Sequence, residues 1–272
     1  MGRVGWGRNS GGGAGVTYSA EAQAYFAAMT TQGTDTYKSN INTFIQKLKD
    51  DGVWASLDSL HLFANKADST DAVPASFINM ISPADTKAAK IGSPTYVHYQ
   101  GWKGVTASAI DLSQALSGRA KFKLNTGCIF FYIYETTAAA FVIDAGVYNS
   151  VSQATVIYSR ITGDAARLYF NSGHVDSGAL AGSGLGMFSF NRTSNTNIDI
   201  YRAGSFVEGK TLNVGSIPTA NLYALANNQN STTISLPAIN RVMGLIGFGD
   251  QMDATKQQKL QDAFAAYMAA PK

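Results

Sequence analysis

Three histidines, one cysteine and a thin set of carboxylates are the side chains from which this chain would have to build chemistry. His61, His98 and His174 stand singly, and neither an H-E-x-x-H pair nor a cysteine pair supplies metal-ligand spacing. They read as surface or packing residues, so no metal is implied. Cys128 lies in TGCIFFYIY, where apolar neighbours make it a buried small hydrophobe, not a nucleophile. Glutamate occurs only at Glu21, Glu135 and Glu208. Glycoside hydrolysis needs two carboxylates facing each other across the bond, whereas Glu135 in YIYET, Asp144 in FVIDAG and Asp199 in NIDIY are isolated. The glycines of GSGLGMFS, residues 182–189, lack the order of a phosphate loop and read as turn and strand-edge residues. Calcium would have to use the oxygen-rich stretches NSGHVDSG from Asn171 and NRTSNTNID from Asn191, which have no EF-hand order. The expectation is a noncatalytic protein without catalytic, metal or cofactor-binding residues.

Surface recognition is what remains. The chain carries 13 tyrosines, and sugar binding uses exposed aromatic platforms with Asn, Asp or Gly beside them. The same tyrosines could fill a wide β core or a subunit interface, and periodicity does not separate these in YIY or LYF. Net charge is only +3 with Lys and Arg scattered, so no phosphate-binding face forms and nucleic acid is not an expected partner. No run of 18 apolar residues exists and no secretory apolar segment opens the chain, which argues against a membrane span and a standard export signal.

The elements that must position such a surface follow from local pattern. Charged residues make up 14% of the chain against a usual figure of about 25%, which with the scarcity of Glu disfavours a mainly helical chain. MGRVGWGRNSGGGAGV is too glycine-rich to fold alone, so residues 1–18 read as a flexible arm, with Arg3, Trp6 and Arg8 as candidate contacts to a neighbouring subunit. Residues 19–52 read as a helical segment. Ser19 caps a first helix reaching Met29, and a second, Tyr37 to Asp50, buries Ile41, Phe44, Ile45 and Leu48 on one stripe. Gly52 can end that helix and Trp54 can pin its end to the body. Trp54→Ala is expected to cost about 3–5 kcal/mol if the indole is fully buried.

Residues 53–252 read as the β body. After the alternating DSLHLFA, residues from Thr70 to Tyr96 read as irregular connection punctuated by Pro74, Pro83 and Pro94. From Lys121 onward come short β-rich runs: KFKLN, CIFFYIYE, AAFVIDAG, ATVIYSR, ARLYFN, GMFSFNR, NIDIYRAG, NLYALANN and INRVMGLIGFG. In CIFFYIY both faces are apolar, so it should be a central strand covered on both sides, and two packed antiparallel sheets satisfy that need. Residues 253–269 form a closing amphipathic helix capped by Asp253, its stripe made of Leu260, Ala263, Phe264, Tyr267 and Met268. The fold class is mainly β: an antiparallel sandwich with N-terminal helices and a C-terminal helix.

The order of these elements resembles a group of tailed-bacteriophage and prophage virion proteins with a concanavalin-like, laminin-G-like jelly roll. The likeness runs from about residue 20 to 269. It is carried by AYFAAMTTQGTDTYKSNINTFIQKLKDDGVWASLDSLHLFANK, YQGWKG, NIDIYRAGSFV and GLIGFGDQMDATKQQKLQDAFAAYM. In that pattern Gly52, Val53 and Trp54 precede the first body strand, and Tyr201, Arg202 and Gly204 form a late hairpin in which Ala203 replaces a more usual Asn. The resemblance implies a noncatalytic virion structural protein, in particle assembly or as a capsid, collar or tail component. Its partners would be other virion proteins and copies of itself, and its location the virion. Two alternatives stand beside it: a carbohydrate-binding sandwich module for host surface glycans, and a polysaccharide-active sandwich enzyme. The E-x-D-x-E strand of sandwich glycosidases is not matched.

Overall fold

In the computed structural model, which describes residues 16–271 apart from 32, 68, 136–140, 162–164, 172, 180–183 and 232, Ser19 opens the helical segment. Its hydroxyl accepts from the Ala22 amide and starts α1 (Ala20–Ala28). Thr34 does the same for α2 (Asp35–Asp50) through the Tyr37 amide. The end of α2 is closed by backbone chemistry. Gly52, at φ 69°, donates to the Lys49 carbonyl while Val53 donates to that of Leu48. This is the pair of bonds by which a left-handed residue terminates a helix, and the buried Val53 and Leu48 sit at its two apolar contact positions. Arg3, Trp6 and Arg8 lie outside the described residues.

Trp54 follows on a single 3₁₀ turn, Trp54–Ser56, packed against the helix-side core and half-buried. Full burial, the condition on the larger cost, is not met, since the indole packs against that core at its margin and is only half-buried. Trp54→Ala should therefore lower stability by about 2 kcal/mol in urea unfolding, below the range for a fully buried aromatic.

The body opens with β1 (Leu57–Leu62) and α3 (Ser69–Ser76). The short strands β2 (Ala89–Ile91), β3 (Thr95–Val97) and β4 (Gly101–Lys103) come next, then β5 (Ala109–Ala115). The stretch read as irregular connection thus holds a helix with Pro74 inside it and two strands. KFKLN is not a strand. The Asp58 carboxylate accepts from the Lys121 and Phe122 amides, taking donors that a strand would need, and Phe122 is buried.

Strands β6 (Gly127–Glu135), β7 (Ala145–Ser150), β8 (Gln153–Tyr158), β9 (Ala165–Phe170) and β10 (His174–Ala179) follow. Then come β11 (Gly186–Arg192), β12 (Asn197–Arg202) and β13 (Ser205–Thr211). The chain closes with β14 (Asn221–Ala224), β15 (Asn227–Gln229), β16 (Thr233–Ser235), β17 (Val242–Gly249) and α4 (Ala254–Ala269). Asp253 caps α4, its carboxylate accepting from the Lys256 amide at 2.8 Å.

Two sheets form. The first runs β13-β12-β11-β6-β17-β4-β3, with β1 beside β17; the second runs β10-β9-β8-β7-β14-β5-β2, with β15 and β16 attached at β7. The strand β6 is central in the first sheet. Its Ile129, Phe131 and Ile133 point into the sandwich core, while Cys128 and Phe130 join a second core under the helices. The two-sided strand is thus covered by a sheet on one side and by helices on the other.

Between β12 and β13, Ala203 (φ 47°) and Gly204 (φ 79°) both take the left-handed conformation of a tight two-residue hairpin. Position 204 carries a second demand, because a Cβ there would lie 2.8 Å from the Cα of Gln258 on α4.

Candidate functional site

The helices cover the outer face of the first sheet, so the outer face of the second sheet is where strand side chains meet solvent. The alternation in β7, β8 and β9 sends Val147, Ile157, Leu168 and Phe170 inward to the sandwich core. The opposite phase places Tyr148, Val156, Tyr158 and Tyr169 together on the outer face, in a small apolar cluster with Ile143 and Ala154. A depression of about 170 Å³ opens there, lined by these four residues, Ile143, Asn227, Gln229, Ser235 and Leu236. Val156 and Tyr158 make its floor, and the half-buried Tyr148 and Tyr169 rise from it.

The polar wall comes from β15 and β16. Asn227 pairs with Gly146 of β7 in parallel register, and its Nδ2 donates to the Ser235 Oγ at 3.1 Å. Gly146 is required by this approach, since a Cβ would lie 2.9 Å from the Asn227 Oδ1. Among the described residues that Oδ1 has no hydrogen-bond donor. Leu236, 52% exposed, forms an apolar rim. On the other side, the Tyr169 ring lies 5.2 Å from that of His174, and the Arg167 guanidinium stands 5.8 Å from the ring of the exposed Phe141.

A buried ion pair anchors the cluster. Asp144 and Arg241 are fully buried 2.6 Å apart, and the second Asp144 oxygen accepts from the Ser159 amide, the residue after Tyr158. Asp144 thereby ties the start of β7 to the end of β8 and holds Tyr158 in place. Burial raises the Tyr158 hydroxyl above its ordinary pKa, with neighbouring Tyr169 adding to the effect and Arg167 opposing it.

A larger cleft of about 580 Å³ lies beside the N-terminus of α4, with Asp199, Asp250 and Asp253 on its walls. Its groups serve the fold. Asn191 exchanges two hydrogen bonds with the Met252 backbone, Asp253 caps α4, and Lys256 reaches the Ser56 hydroxyl. Tyr201, its aromatic, is 5% exposed, so the cleft offers no ring face to a ligand.

The other residues singled out by type are dispersed. Cys128 is buried against Ser189 and Gln257, and burial pushes its thiol up to about 11. His98 contacts the Ala67 carbonyl at 3.0 Å and stacks on Tyr99. Glu135 is the last residue of β6, Asp144 is committed to Arg241, and Asp199 lies on β12, its carboxyl raised by burial. Of the stretches considered for calcium, 174–178 is part of β10, and 191–199 spans the β11–β12 hairpin. Among the described residues no three His, Cys, Asp or Glu groups converge as metal ligands, and no helix is long and apolar enough to cross a membrane.

Tyr148, Tyr158 and Tyr169 were not separable from core tyrosines by pattern alone. The period of two in ATVIYSR and ARLYFN puts Val156 with Tyr158 and Arg167 with Tyr169. Which phase faces water depends on where the helices pack.

His61 is fully buried, and neither ring nitrogen has a partner in hydrogen-bonding geometry. Burial pushes its pKa down to about 3 from 6.5, with the nearby Ser76 backbone opposing weakly. A histidine neutral in the fold and protonated once unfolded contributes stability that is complete above about pH 6.5 and is lost as pH falls toward about 3. That loss is about 1.4 kcal/mol per pH unit within the window. In urea titrations between pH 6.5 and 4.5, His61→Gln should lose stability with a slope shallower than the parent's by one proton.

No protein-family model matches this chain, and no curated protein matches it either. Solved structures match the fold. Domain 4 of AbnA, a GH43 extracellular arabinanase from Geobacillus stearothermophilus in complex with arabinotriose, superposes with a TM-score of 0.53 at 12% identity, over 76% of this chain and 98% of that one. The botulinum neurotoxin serotype D binding domain gives 0.50 at 7% identity, over 77% of this chain and 52% of that one. The chain thus spans nearly all of the arabinanase domain and about half of the toxin domain.

These findings define the class as a concanavalin-like β-sandwich and correct the virion reading. The jelly roll that carried the resemblance is shared with a domain of an arabinanase and with a toxin binding domain, so it does not place the chain in a particle. The role as a capsid, collar or tail component, the partnership with other virion proteins and copies of itself, and the virion location all rested on that likeness. They are set aside.

Proposed function

We propose that this chain is a noncatalytic carbohydrate-binding β-sandwich module whose site is the tyrosine-lined depression on the outer face of the second sheet. The observation that carries the reading is the cluster of Tyr148, Tyr158 and Tyr169 beside the amide and hydroxyl wall of Asn227, Gln229 and Ser235. Sugar rings present C–H faces that pack on aromatic rings and hydroxyls that exchange hydrogen bonds with amides, and this surface offers both. The strands beneath it are fixed by Asp144 and Arg241, so the rings are held before a ligand arrives, which lowers the entropic cost of binding.

The arabinanase domain, whose structure holds arabinotriose, supports a sugar ligand for this type of sandwich. The noncatalytic part of the reading is supported by the lining itself, which among the described residues includes no Asp, Glu or His.

Affinity electrophoresis through gels containing plant and bacterial polysaccharides tests it. The parent chain should be retarded by at least one polymer. Tyr148→Ala and Tyr169→Ala should each weaken that retention about tenfold, the equivalent of about 1.4 kcal/mol, with melting temperatures near the parent's. Retardation by none of the polymers, or variants retained like the parent, would remove the proposal.

A further inference from the structure

Resting on that site, the charges around it address which glycans it takes. Beside Tyr158 in register across β8 and β9 stands Arg167, the cation nearest the tyrosine floor on its own strand. One edge of its guanidinium is engaged with one carboxylate: Nε donates to Asp176 Oδ1 at 2.7 Å and Nη2 to Asp176 Oδ2 at 2.8 Å. The hydrogen bonds from Arg167 hold the Asp176 carboxyl below its ordinary range, with His174 and Lys210 adding smaller effects of the same sign. Lys210 is itself paired with Glu208 at 2.8 Å, and the other Glu208 oxygen accepts from the Gly178 amide. Arg167 and Lys210 are thus each neutralised by a carboxylate.

Recognition of a sugar carboxylate or sulfate uses a forked guanidinium with open donors. Here the Nε/Nη2 fork is filled by Asp176, so the pair presents no net positive charge and an acidic sugar approaching the guanidinium would also face the Asp176 carboxylate. The row of outer-face positions His174, Tyr169 and Val156 runs straight across β10, β9 and β8 and ends at Asn227, which lies against Gly146 of β7. At the spacing of paired strands this row is about 10 Å long, which exceeds one pyranose ring. We infer that the site binds uncharged oligosaccharide segments laid across these strands and discriminates against acidic glycans through the Arg167–Asp176 pair.

The test compares retention of the full chain in gels of neutral polymers (arabinan, galactan, β-glucan) and acidic ones (polygalacturonate, polysialic acid) at physiological salt. The parent should be retarded by a neutral polymer in a Tyr169-dependent way and pass the acidic gels unretarded. Asp176→Asn, which opens the Arg167 fork, should keep neutral retention within about twofold and gain acidic retention of at least about threefold. That gain should vanish in the Asp176→Asn, Tyr169→Ala double variant, which separates it from a general charge effect. A parent that prefers acidic polymers through Tyr169 would overturn the inference while leaving the glycan-binding site intact. So would an Asp176→Asn variant that gains nothing. Failure of every polymer to retard the parent would remove the site itself, and this inference with it.

Discussion

Strand β6 is apolar on both faces and must be dry on both. Its Ile129, Phe131 and Ile133 are met by the second sheet, and its Cys128 and Phe130 by a layer of helices. Because a β-strand alternates strictly, no rotation of β6 could hide one set without exposing the other. The helices α1, α2 and α4 are therefore a structural necessity for the first sheet, and they consume its outer face. Among the described residues no such layer lies over β7, β8 and β9, so Tyr148 and Tyr169 of the second sheet are only half-buried. The location of the tyrosine depression follows from which sheet contains the two-sided strand.

The helical layer is itself held by buried polar groups. Asn65 donates to the hydroxyls of both Tyr25 on α1 and Tyr37 on α2, and Tyr25 in turn donates to the Ala75 carbonyl on α3. Burial pushes the Tyr25 hydroxyl up to about 12, with the Tyr37 and Asn65 hydrogen bonds pulling the other way. Such a network has value only when complete, because each group left unpaired in a dry interior is costly. Lys66 extends it: its ammonium reaches the Met268 and Ala270 carbonyls, where the C-terminal end of α4 presents unsatisfied acceptors. The first third of the chain thus fixes the last helix.

Much of this was legible in the sequence where local chemistry decides. The caps at Ser19 and Asp253, the stop at Gly52, the stripe of Ile41, Phe44, Ile45 and Leu48, and the two-sided character of CIFFYIY are all written in short windows. Asp58 was not readable, because the amides it binds are more than sixty residues away. The same holds for α3 and β5, whose residues STDAVPAS and AIDLSQA carry weak periodicity and gain their form from packing. The candidate site belongs to this second class. Tyr148, Tyr158 and Tyr169 come from three strands, and only the cross-strand register, with Tyr148 opposite Ala154 and Tyr169 opposite Val156, brings them around one depression. Family likeness misled for a related reason: a jelly roll is a solution to covering sheets, and many unrelated surfaces are mounted on it.

The hydrogen bond from Asn40 on α2 to the Pro271 carbonyl, with that from the Ser19 amide to Asn42, gathers the entry to α1 and the exit from α4 on one helix. That helix lies behind the first sheet, and the tyrosines lie in front of the second. Ser19 and Pro271 are thereby held on the helical side of the sandwich, and the tyrosines open on the other. The thickness of two sheets separates the helix that gathers these residues from the tyrosine depression, so a change in packing on one side reaches the other only through the sandwich core.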